Sequence, residues 1–174
     1  MKEVEEVAKQ LASPIDGGPG AMSATVLRMM HSVPRNDAVK VLWYAYTKGF
    51  VRGAALAAVL PDAWSGPEFP MRRLKRQTWL QLFSEAGFCS DKGRAAPTEP
   101  IEVWRAQVGR TLGLAWTTDR KKARWFHRRN LRVGLQSTLL RGIVTPRGVL
   151  AFIDGRNESE VIVHPRRVKK VVMP

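Results

Sequence analysis

The chain has 174 residues, is 44% hydrophobic and carries a formal net charge of +14, enough apolar content for one compact core, or for one core with a small helical attachment. Its single cysteine, Cys89, excludes an internal disulfide and a cysteine-rich metal site and reads most simply as a small buried hydrophobe. No apolar run approaches the ~20 residues of a membrane span, and MKEVEEVAKQ reads as a charged amphipathic segment rather than a secretory signal, so a cytoplasmic protein with no membrane partner is expected.

The first part reads as helical. Val4, Val7, Ala8 and Leu11 fall at i, i+3, i+4 and i+7 and give an apolar stripe that ends at the breaker-rich SPIDGGPG. A second helix is expected over about 23–31, and a third after Pro34, capped by Asn36 and running through DAVKVLWYAYTK to Gly49. GAALAAVL predicts a short helix stopped by Pro61, and PMRRLKRQTWLQLFSEAGF another, with Leu74, Trp79, Leu82 and Phe83 inward and Gly87 at its end. Residues 36–60 also admit a helix-turn-helix reading, although short consecutive helices are common in any helical region.

SDKGRAAPTEP, polar and with two prolines, reads as a linker between residues 1–95 and 96–174. Beyond it the texture changes to short β-branched and aromatic runs, IEVWRA, LGLAW, TLLRGIV, GVLAFI, EVIV and VKKVVMP, separated by turn formers. One helix interrupts them, TTDRKKARWFHRRN, expected to have a threonine cap, Asp119 in its first turn and basic residues toward its end. Trp125 and Phe126 are expected to be buried on it. The fold class is α+β, with helices first and a β body after. Charge follows the same division: residues 1–100 hold 13 Lys and Arg against 10 Asp and Glu, whereas 101–174 hold 16 against 5, which is +3 and +11. Such an excess attracts polyanions without choosing among nucleic acid, an acidic protein surface and a phosphate-bearing small molecule.

Three stretches of the β body carry candidate chemistry. VWRA places Arg105 at a strand end, LAWTTD places Trp116, Thr117 and Thr118 at a strand-to-helix junction, and ESE places Glu158 and Glu160 at the start of a strand, on one face if that segment is extended. Each has a structural reading beside the functional one. Arg105 is one of nineteen arginines, the threonines suit a helix cap, Trp116 suits the core, and the glutamates suit a turn balanced by Arg156, Arg166 and Arg167. His127 and His164 lack carboxylate or cysteine companions at metal spacing, so no metal is expected.

In this order the three stretches resemble the mono-ADP-ribosyltransferases of the arginine, serine/threonine, glutamate class, the cholera-toxin-like branch, and small transferase-like proteins encoded by bacteriophages. The resemblance covers about residues 99–172. It implies N-terminal helices followed by a split two-sheet β core, with NAD as substrate in the cleft. It further implies that Arg105 meets the pyrophosphate or a ribose edge with bidentate geometry, that Thr117 braces the catalytic glutamate, that Glu160 stabilises the ribose cation and that Glu158 serves the acceptor; Thr118 and Trp116 would border the cofactor. The family's third hydroxyl position is Asp119 here, a carboxylate in place of a hydroxyl. DGRN, residues 154–157, is expected to influence acceptor choice, and the N-terminal helices to be a lid, a target-docking surface or a partner-binding unit.

The leading expectation is an enzyme that transfers ADP-ribose from NAD to a macromolecule, first of all to arginine on an acidic or nucleic-acid-associated host protein, in the host cytoplasm if the chain is phage-encoded. The alternatives are an NAD glycohydrolase on the same fold, transfer to DNA or RNA, an RNA 2′-phosphotransferase, and a non-enzymatic nucleic-acid-binding module using RKKARWFHRR and RRVKK.

Overall fold

A computed structural model describes residues 18–171, and the amphipathic segment around Val4–Leu11 lies outside them. The chain divides into two compact units between Cys89 and Ser90. The first contains α1 (Gly18–Ser32), α2 (Ala38–Thr47), α3 (Gly53–Ser65) and α4 (Arg76–Ala86). The second contains β2 (Ile101–Val108), β3 (Ala115–Thr117), α5 (Arg120–Arg132), β4 (Ser137–Val144), β5 (Val149–Ile153), β6 (Glu160–Val163) and β7 (Val168–Val171), with β1 (Cys89–Ser90) at the junction. This is an α+β protein. Among the described residues no helix is long and apolar enough to cross a membrane.

In the helical unit an aromatic cluster organises the core. Trp64 meets Trp79 edge-on at 5.0 Å and Phe83 at 5.6 Å, and Trp79 Nε1 donates to Pro70 O at 3.1 Å. The cluster explains why α3 runs through Pro61 rather than stopping there. A proline inside a helix costs about 3 kcal/mol, but ending the helix at Leu60 would take Ala63 and Trp64, 0% and 1% exposed, out of the core. Burial of a side chain of that size contributes about as much or more. Two further local expectations change. The residue before α2 is Asp37, not Asn36, and it makes no side-chain cap bond; its carboxylate pairs instead with Lys40 at 2.7 Å. Leu74 is half-buried and outside α4, which begins at Arg76, while Trp79, Leu82 and Phe83 are buried and Gly87 closes the helix at φ 72°.

The seven strands are ordered β1-β5-β6-β3-β2-β4-β7. They form one hydrogen-bonded sheet rather than two separate ones, yet the sheet nearly parts in the middle. β2 pairs with β4 over eight positions, and β3 with β6 over three, whereas β2 and β3 share the single antiparallel pair Trp104↔Thr117. Side chains take over where the ladder stops. Arg105 Nη1 donates to Ala115 O, and the Gln107 amide donates to the carbonyls of Val108, Gly109 and Thr111, at 2.7, 3.2 and 2.8 Å. Strand-edge carbonyls left without partners would cost about 1–3 kcal/mol each if buried, so these two polar residues hold the gap open without orphaning its edges.

Helix α5 differs from expectation at both levels. Its cap is Asp119, not a threonine: the carboxylate accepts from Lys121 N at 2.7 Å and Lys122 N at 3.3 Å. It buries Ala123, and Trp125, expected inside, is 55% exposed.

Candidate active site

The parting between β2 and β3 opens a cleft of about 210 Å³, bordered by Arg105, Thr117, Glu158 and Glu160, with Phe126 and Asn130 of α5. Residues separated by up to 55 positions in the chain therefore meet in one concavity. The cleft is small beside the ~300–1,000 Å³ typical of drug-sized ligand pockets, so it suits one end of an extended ligand.

Arg105 lies close to the bare backbone of Gly113, where an added Cβ would overlap the guanidinium. Its Nε donates to Gln107 Oε1 at 2.7 Å and its Nη1 to Ala115 O. Two of its nitrogens are thus held by the protein, which leaves less of the guanidinium for the bidentate contact that the resemblance implies. Burial lowers the Arg105 pKa from its usual value, and the charge of Glu160 opposes that fall. Arg105 is therefore part of the frame of the cleft as well as a candidate ligand for an anion.

Thr117 is 7% exposed and faces Glu160 across the β3–β6 ladder. Its Oγ1 donates to Glu158 O at 2.9 Å and accepts from Asp119 N at 3.0 Å. One hydroxyl thus ties the glutamate turn to the start of α5. Glu160 is the first residue of β6 and 9% exposed, while Glu158 is half-buried in the turn before it. The segment is not extended. Asn157 and Ser159 adopt left-handed φ of 54° and 48°, so both glutamates reach the cleft through a tight turn rather than through strand alternation.

The turn is fastened by Lys122 and Asp91, which the sequence pattern did not single out, and by Asp154 of the DGRN stretch. Lys122 Nζ donates to Asn157 O at 2.5 Å and to Ser159 Oγ at 3.1 Å. Asp154 Oδ1 accepts from Ser159 N, and Asp91 Oδ2 accepts from Asp154 N, both at 2.9 Å. Left-handed conformations at non-glycine residues cost of order 1–3 kcal/mol each, and these bonds offset it. Lys122 follows Asp119 by three residues on α5, but nothing in the pattern points to a partner 35 positions on. Asp119 is used as a helix cap and does not line the cleft.

The remaining candidates lie elsewhere. Thr118 is exposed and borders a second hollow of about 150 Å³, together with Asp91, Phe152, Asp154 and Ser159; Glu160 borders both concavities. Trp116 is 2% exposed, donates from Nε1 to Gly113 O at 3.2 Å and packs beside Gly142. It is a core residue that backs the cleft. Among the described residues no group of three or more His, Cys, Asp or Glu is gathered as metal ligands would be; His127 Nδ1 lies 3.1 Å from Ser137 Oγ, and His164 Nδ1 accepts from Arg166 N.

No protein-family model, curated protein or solved structure matches this chain.

Proposed function

We propose that this protein is a mono-ADP-ribosyltransferase, with an ADP-ribosyltransferase-like core in residues 96–174, that cleaves NAD and transfers ADP-ribose to a macromolecular acceptor. The observation that carries the reading is the convergence of Arg105, Thr117, Glu158 and Glu160 on one cleft at the parting of the sheet.

The residues fit the nicotinamide–ribose end of NAD. NAD supplies a glycosidic bond whose cleavage releases nicotinamide and leaves positive charge on the ribose. Glu160, nearly buried at the start of β6, holds a carboxylate where that charge develops, and such preorganised stabilisation is commonly the largest single contribution to catalysis. Arg105 offers its guanidinium to a phosphate or ribose oxygen. Thr117 keeps the glutamate turn in register. Glu158, half-buried on the same cleft, takes the proton that the acceptor loses as its bond to the ribose forms; general-base assistance contributes typically ~10²–10⁴-fold.

The charge of the chain favours an acceptor in an acidic or nucleic-acid-associated setting, with arginine on a protein the first candidate. Incubation with NAD labelled in its ADP-ribose part, together with a cell extract, separates the readings by destination. Label on protein supports this proposal, and label on nucleic acid would change the acceptor. Free ADP-ribose alone would make the protein a glycohydrolase. Glu158→Gln should lower transfer further than hydrolysis; an equal loss of both would remove the acceptor role of Glu158.

A further inference from the structure

Helix α5 leaves its outer face with no partner among the described residues, and that face has an unusual composition. The helix holds seven Lys and Arg and no acidic residue in thirteen positions, and it buries Ala123. Trp125 projects from it at 55% exposure. Tryptophan is normally highly buried, and an indole exposed amid cations does nothing for the core. The ring is nevertheless held in place. It meets Phe126 edge-on at 4.9 Å and 79°, and the Arg129 guanidinium lies over it at 5.7 Å. Arg128 and Arg129 stand three and four residues on, beside Trp125 on the same helical face, and Arg124 adjoins it in sequence. The side chains of Arg124, Arg128 and Arg132 make no hydrogen bond or ion pair among the described residues.

We propose that this face of α5 is a docking site for single-stranded nucleic acid, with Trp125 as the stacking platform and the surrounding arginines as phosphate contacts. Charge complementarity selects a polyanion. The aromatic ring set among the guanidinium groups selects one with unstacked bases, because an aromatic platform stacks any base while neighbouring cations follow the backbone. An intact duplex keeps its bases stacked on each other and could use only the charges. Phe126, which fixes the ring, also borders the cleft, so a strand held here would lie beside the candidate active site. The proposal does not depend on NAD chemistry.

Binding of the full chain to fluorescently labelled twelve-nucleotide RNA and DNA, to the corresponding duplex, to heparin and to phosphatidylglycerol vesicles tests it. Single strands should bind more tightly than duplex or heparin. Trp125→Ala should weaken single-strand binding about tenfold, in line with ~1–3 kcal/mol per stacked base, and Trp125→Phe should restore most of the loss. Arg128→Gln with Arg129→Gln should flatten the plot of log affinity against log salt by about 1.4, two charges at ~0.7 each. Because Trp125 lies outside the cleft, its variants should leave the circular dichroism spectrum and any NAD consumption unchanged. The proposal is overturned if Trp125→Ala binds single strands as the unaltered protein does, if heparin or duplex binds as tightly, or if only the vesicles bind.

Discussion

A single hydroxyl shows how the cleft is built. Thr117 Oγ1 accepts from Asp119 N and donates to Glu158 O, so it bonds the turn before Glu160 and the start of α5 rather than the Glu160 carboxylate. Thr117→Val keeps the shape and removes both. We expect a loss of about 1–3 kcal/mol, the cost of leaving buried partners unsatisfied, read as a lower denaturant midpoint, with Thr117→Ser close to the unaltered protein. Gly113 allows a sharper test of Arg105. An added methyl would overlap the guanidinium, which is the mobile end of a long side chain, rather than backbone. Gly113→Ala should therefore displace Arg105 and lower NAD consumption at least tenfold while the fold persists; full activity in a folded Gly113→Ala would remove Arg105 from the account. Arg105, Thr117 and Glu160 were picked out in the sequence by the order of three short motifs, and they line one cleft. Lys122 was not picked out, since a lysine on a basic helix looks like a solvated charge until the chain brings its partners to it.

At the scale of elements, local rules predicted where helices and strands lie and missed where tertiary contacts outweigh them. Pro61 looked like a stop, and the cluster of Trp64, Trp79 and Phe83 carries the helix past it. LGLAW looked like a longer strand, but β3 begins only at Ala115, where its partner on one side is the Arg105 side chain instead of a full ladder. The cap of α5 is a prediction of the same kind. Asp119→Ala should cost about 0.5–2 kcal/mol, seen as a lower Tm, and Asp119→Ser should recover most of it; no change would mean that the helix start is held by other contacts. In the helical unit, Tyr46 donates to Glu85 Oε2 at 2.5 Å, and this bond, with burial and the Glu85 charge, raises its pKa. A raised pKa means that the stabilisation is complete below the unfolded value of ~10 and is lost as pH rises through the folded one. Stability should decline above about pH 10, and Tyr46→Phe should decline less steeply over the same range; parallel curves in a pH series of unfolding midpoints would contradict this.

At the scale of the whole molecule, the change of texture in the sequence corresponds to four described helices in one unit and the strands with α5 in the other, because helix and strand periodicities are local signals. A split of the β body into two sheets was expected only as what the resemblance implies, and the described strands form one sheet that nearly parts. The parting depends on how few pairs β2 and β3 share, and register between strands is written in no single segment. Yet the parting is what turns three motifs into one site, and it is why the candidate chemistry lies between β2 and β3 rather than on a sheet edge. The most direct measurement is release of nicotinamide from NAD by the purified protein, beside Glu160→Gln. The account predicts measurable release by the unaltered protein and at least a hundredfold less from a folded Glu160→Gln; no release by the unaltered protein, or equal release by both, would contradict it.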